Sequence, residues 1–202
     1  MQKTRYRMNY QTSSLELSRK ELTAIPEIIR GNRQLLTLSL FNNNINFIPE
    51  WLWELVTLQF LNLGHNKLTE ISSSISKLKN LHTIDLGHNQ LTSLPETIGE
   101  LTDIEFFLYL SNNNLDELPG SITNLEKLRY LNVSFNRLSE LPDDIGKMHA
   151  LVELRAYNNS IRSIPDSIGD LQNLREIHLM NNKLSCLPAS LNKLTRLNEL
   201  RL

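Results

Sequence analysis

Cysteine is nearly absent from this chain, with Cys186 standing alone. It has no partner for an intramolecular disulfide, which favours a reducing, cytoplasmic setting. An excess of one charge is also missing. Lys plus Arg number 21 against 22 Asp plus Glu, a formal charge of −1. That balance removes the electrostatic case for nucleic acid, because phosphate binding needs a net or local basic field. No apolar run approaches the ~18 residues of a membrane-crossing helix, so no membrane partner is expected. Residues 1–14 (MQKTRYRMNYQTSS) are basic and polar and lack the apolar stretch of a secretory signal. Glycine-rich phosphate loops, Ser/His/Asp sets and Cys/His clusters are likewise missing. The residues therefore point away from an enzyme and call for no cofactor.

What the chain has in excess is leucine and asparagine, 40 and 23 of its 202 residues. A repeat explains both. In the phrase L-x-x-N-x-[LI], the asparagines are Asn43, Asn66, Asn89, Asn113, Asn136, Asn159 and Asn182, at steps of 23, 23, 24, 23, 23 and 23. One step back from Asn43 is Lys20, inside a degenerate first copy that starts at Leu15. Proline tests this register independently. All seven (Pro26, Pro49, Pro95, Pro119, Pro142, Pro165 and Pro188) lie six residues after the marker, and the remaining copy has Ser72 there.

The unit L-x-x-L-x-L-x-x-N-x-L-x-x-L-P-x-x-I-x-x-L, typified by residues 81–101, resembles the leucine-rich-repeat family over about residues 15–202. Its Leu-Pro-x-x-Ile-Gly-x-Leu tail is similar to the 23-residue class of intracellular Ras-group and bacterial repeat proteins. The resemblance implies an α/β solenoid, with a parallel β-sheet on the concave face and short helical or extended segments on the convex face. It also implies a protein partner, a small GTPase or a signalling enzyme by analogy with the Ras group. The expected division is a polar segment 1–14 followed by one repeat domain, 15–202, of about eight repeats and a terminal partial strand.

Physical chemistry reaches the same fold. Leucines two apart point to one side of a strand and their neighbours to the other. One copy cannot bury its leucines alone, so stacked copies must complete the core. About nine strands are expected, with Leu40, Leu63, Leu86, Leu110, Val133, Ala156 and Leu179 stacked inside. Each marker asparagine is expected to satisfy backbone groups where the chain leaves the strand. Proline should open the outer segment, and Gly99, Gly146 and Gly169 should end it.

Function must then reside in the positions between the leucines. Counting back from the marker, slots −6, −4, −2 and −1 are expected to face solvent on the inner side. They hold Phe41, Phe60, Phe107, Tyr109, Tyr130, Phe135 and Tyr157, seven of 13 aromatic residues, with Met180 in the next copy. Rigid aromatics on a polar face suit a protein-binding hot spot, although neighbouring rings also cover one another as cross-strand pairs. Slot −6 continues as Glu153, Glu176 and Glu199, and slot −4 as Arg155, His178 and Arg201. These opposite columns either neutralise each other or steer a charged partner. The candidate partner-binding set is Phe60, Phe107, Tyr109, Tyr130, Phe135, Tyr157, Met180, Glu153, Arg155, Glu176 and His178.

Two imidazoles, His65 and His88, share a slot in successive copies with Asp85 nearby, but no third ligand or supporting shell is evident, so no metal site is expected. The 24-residue step places one extra residue between Ile104 and Leu108, predicting a local bulge beside the aromatic patch. The leucines of residues 197–202 have core spacing with no following copy, so this edge is expected either to self-associate end to end or to fray. The functional expectation is a non-catalytic interaction module or scaffold that binds a protein on its concave face in intracellular signalling. The alternative is the recognition domain of a bacterial effector, secreted to act in a host cell, or of a larger multidomain regulator whose catalytic part lies elsewhere.

Overall fold

The computed structural model describes residues 12–202, so most of the polar segment 1–14 lies outside the described residues. Nine three-residue strands form one sheet in strict chain order, every neighbouring pair parallel. They are β1 (Ser14–Glu16), β2 (Thr37–Ser39), β3 (Phe60–Asn62), β4 (Thr83–Asp85), β5 (Phe107–Tyr109), β6 (Tyr130–Asn132), β7 (Glu153–Arg155), β8 (Glu176–His178) and β9 (Glu199–Arg201). A 3-10 helical segment follows each of the first eight strands, from Glu27–Gly31 to Ala189–Lys193. The molecule is a solenoid in which each copy packs on its two neighbours.

The seven slot −3 residues, Leu40 through Leu179, are all at most 1% exposed. Ala156 is fully buried among larger neighbours. The asparagine ladder carries the turn that follows each strand. Asn89 is typical: its Oδ1 accepts from the Leu68 N–H at 3.0 Å, and its Nδ2 donates to the Leu63 and Leu86 carbonyls at 3.0 Å. One side chain thus satisfies three backbone groups in a place where water cannot reach them.

Prolines other than Pro142 stand immediately before the outer segments with extended backbone, for example Pro95 at φ −70° and ψ 146°. Ser72 takes the same conformation and its side chain accepts from the Ser74 N–H at 3.2 Å, a cap in place of a ring. The glycines depart from expectation. Gly99 lies inside its 3-10 segment rather than at its end, and no described glycine has positive φ. A Cβ at Gly99 would collide with the Ser121 carbonyl, and one at Gly146 with the Ser167 carbonyl. These glycines let the next copy approach closely on the convex side.

The extra residue of the fifth copy is absorbed just before β5. In regular copies two successive N–H groups share one carbonyl, as Gln59 and Phe60 share Leu36. Here Glu105 and Phe106 both donate to His82, and the next copy's Arg129 and Tyr130 then use separate carbonyls, those of Glu105 and Phe106. Phe107 resumes the register opposite Thr83. The bulge is local, as its single-residue length requires.

Candidate interaction surface

The inner face divides at β5. Along β5 and β6, Phe107 stacks on Tyr130 with centroids 4.8 Å apart and on Tyr109 at 5.3 Å. Arg129 lies over the Tyr130 ring at 5.8 Å. A second pair, Phe135 and Tyr157, meets edge to face at 5.3 Å on the turn side of the sheet. Met180 extends this pair, its carbonyl accepting from the Asn158 N–H at 2.9 Å. The first group borders a hollow of about 270 Å³ lined by Phe107, Tyr109, Tyr130, Asn132, Glu153 and Arg155.

Arg155 is the polar centre of this hollow. Its Nε donates to the Glu153 carboxylate. Partial burial disfavours its charge, but the hydrogen bond to Glu153 and the charge of that carboxylate together outweigh it, with help from Tyr157 and Tyr109, and leave the guanidinium more basic than usual. Burial likewise raises the Tyr109 hydroxyl, against the opposing pull of Arg155. Tyr109 therefore stays protonated and able to donate to an incoming acceptor.

Five of the aromatic candidates and Met180 thus fall on one continuous stretch of the face. Phe60 does not. It pairs with Thr37 and Thr83, two strands away from Phe107. Nor are the four slots uniformly exposed. Ser134 at slot −2 is fully buried, and Thr83 and His178 are 9% and 8% exposed. Slot −2 sits where the chain turns inward, so small residues there sink beneath their neighbours while Tyr157 and Met180 are large enough to reach solvent.

Slot −1 has a property the sequence pattern did not disclose. His65, His88, Asn112, Phe135, Asn158 and Asn181 all have φ between 53° and 56°. This left-handed backbone suits asparagine and, less well, histidine. Phe135 is the anomaly, a bulky ring 45% exposed in a conformation that costs about 1–2 kcal/mol for an ordinary residue. The repeat frame imposes this conformation on every copy, and Phe135 bears it beside partly exposed aromatics. Asparagine is the commonest residue in that column, and Phe135 is its one bulky apolar member.

His65 and His88 stack face to face at 3.7 Å, and Phe41 meets His65 edge-on at 4.9 Å. Stacked rings direct their nitrogens outward in parallel planes instead of toward a shared ion. Burial, followed by the charge of His65, lowers the His88 pKa. Asp85 beneath them accepts from the Gly87 N–H at 2.9 Å, yet burial keeps its carboxyl above the usual range.

Family profiles described as Leucine-rich repeat region, Leucine Rich repeats (2 copies) and Leucine rich repeat match residues 106–202, 56–103 and 11–68. The chain belongs to the leucine-rich-repeat family. Among solved structures, this leucine-rich-repeat chain is similar to a TDR receptor, at 28% identity and a TM-score of 0.86, over 94% of this chain and 34% of that one. It is also similar to the plant peptide hormone receptor RGFR1 in complex with RGF2, at 31% identity and a TM-score of 0.84, over 92% and 31%. Internalin C2 of Listeria monocytogenes matches at 28% identity and a TM-score of 0.84, over 94% and 80%. The chain spans about a third of the length of the two receptors. Comparison with curated proteins returns no match.

At the far edge, β9 presents Leu200 and Leu202 at 38% and 59% exposure. A second hollow of about 270 Å³ opens there, lined by Leu179, Leu184, Cys186, Leu187 and Leu202. Cys186 is exposed and free. Among the described residues no helix is long and apolar enough to cross a membrane.

Proposed function

We propose that this chain is a non-catalytic protein-interaction module that receives a protein or peptide segment on the concave face between β5 and β8. The observation that carries the reading is Phe135, a strained, half-exposed aromatic that the repeat frame does not need, joined edge to face with Tyr157. Around it, Tyr109, Tyr130 and Met180 supply apolar area, while Arg155 and Glu153 supply polar anchors in one hollow. Likeness to a receptor solved with RGF2 supports a polypeptide ligand. Glu176 and His178 form the rim that steers a charged partner into place. We assign the module to intracellular signalling, in keeping with one free cysteine and a Ras-group repeat signature, with a small GTPase or signalling enzyme as partner class.

The second reading, the recognition part of a bacterial effector or of a larger regulator, is favoured by the likeness to internalin C2. Affinity capture with the intact chain and with a Tyr109→Ala, Tyr130→Ala, Tyr157→Ala variant tests the site. The partner should be lost from the variant while its melting temperature holds. Equal capture by both proteins overturns the concave site and moves attention to the β9 edge, where end-to-end self-association would appear as concentration-dependent mass.

A further inference from the structure

We propose that Glu153, Glu176 and His178 form a site for a single divalent transition-metal ion of the zinc class, bridging β7 and β8 on the inner face. The sequence alone suggested no metal and placed these residues on a steering rim. The parallel register puts Glu153 opposite Glu176 and Arg155 opposite His178. One ligand atom from each of Glu153, Glu176 and His178 lies within 4.8 Å of the other two. The imidazole is nine-tenths buried, and its Nε2 faces the Glu176 carboxylate at 3.4 Å. That separation is long for a hydrogen bond. It matches the edge of a tetrahedron, about 3.4 Å, formed by nitrogen and oxygen ligands each about 2.0–2.1 Å from a zinc ion.

Charge gives an independent reason. Each flanking strand carries its own neutralised pair, Glu153 with Arg155 on β7 and Glu199 with Arg201 on β9. On β8 the same two slots hold Glu176 and His178. A permanent cation is therefore missing from the middle strand, replaced by a side chain that ligates metals where arginine cannot. The donor set selects the ion. Imidazole with two carboxylates and only three protein ligands suits zinc, nickel or copper, whereas calcium and magnesium demand six or more oxygens. Glu153 can give one oxygen to the ion and keep Arg155 on the other, so Arg155 orients the ligand from behind. The fourth position faces the concave side and is open to water or to a donor from a docked polypeptide.

This site shares Glu153, Glu176 and His178 with the interaction reading, but metal binding needs no partner, so the two are tested separately. Zinc chloride titrated calorimetrically into the purified chain should bind with one-to-one stoichiometry and raise the melting temperature. His178→Arg restores the pattern of β7 and β9 and should abolish binding, and Glu176→Gln should weaken it at least about tenfold, the scale on which even supporting groups act at metal sites. Glu176→Gln changes a side chain that is 41% exposed, so it preserves a folded test protein should His178→Arg fail to fold. His65→Ala with His88→Ala, and Cys186→Ser, should bind zinc as the parent does. The site is overturned if zinc fails to bind, if Glu176→Gln leaves the isotherm unchanged, or if the His65, His88 or Cys186 variants remove it.

Discussion

Strands β2 to β4 and strands β5 to β8 share one frame and present different surfaces, the first with Phe60 as its one strand aromatic. The first group shows Thr37, Ser39, Asn62 and Asp85 toward the concavity, with Gly64 and Gly87 beneath the turn. The second shows Phe107, Tyr109, Tyr130 and Tyr157, then paired charges. Backbone pairing, core leucines and asparagine ladder are the same in both. The frame is thus indifferent to the residues between its leucines, and those residues are free to specify a partner.

The comparison breaks first if the frame is unequal. Asn66→Ala and Asn113→Ala each leave one buried N–H without a partner and reduce two buried carbonyls from two donors to one, at a cost of about 1–3 kcal/mol. Urea denaturation should show similar losses in the two halves, and a loss confined to one half would divide the frame. The next effect belongs to the surface alone. Tyr109→Ala or Tyr130→Ala should weaken partner binding by roughly 1–2 kcal/mol with little change in folding, while Thr37→Ala and Phe60→Ala should leave the affinity as it was. Titration of each variant against the captured partner checks this.

Phe135→Asn sharpens the contrast because it moves stability and binding in opposite directions. Relief of left-handed strain should raise stability by up to about 1 kcal/mol, after the Tyr157 contact is forfeited, and binding should fall. Thermal melts beside binding isotherms reveal the pair of signs. The smallest effect lies in the polar half. Because burial raises the Asp85 carboxyl, its protonated form favours folding, and that contribution fades as pH rises through the folded-state value. Asp85→Asn should therefore be more stable at pH 7, by less than about 1 kcal/mol, and the advantage should vanish below about pH 4. An advantage that grew on acidification would reverse the assigned shift.

Repeat register, strand number, parallel order, core column and the bulge before Phe107 were all legible in the sequence, because leucine, asparagine and proline columns check one another. Two things were not. Spacing assigns a side of the strand but not a depth, so Ser134 and His178 read as exposed although neighbouring side chains cover them. Sequence separation also hides convergence, so the charge columns did not disclose that ligand atoms of Glu153, Glu176 and His178 lie within 4.8 Å of one another. Glycine was misread for a related reason: its value at Gly99 lies in the copy that follows, not in its own turn.

That close approach has a consequence for shape. On the inner side, hydrogen bonds hold neighbouring strands about 4.8 Å apart whatever the side chains. On the outer side, the spacing is set by one column ten residues after the marker, which runs Trp53, Ser76, Gly99, Thr123, Gly146 and Gly169. The column holds the fully buried indole of Trp53 at one copy, whereas at Gly99, Gly146 and Gly169 the next copy comes too close for even a Cβ. That column sets how closely successive copies approach on the outer side, so residues far from the concave surface contribute to its shape.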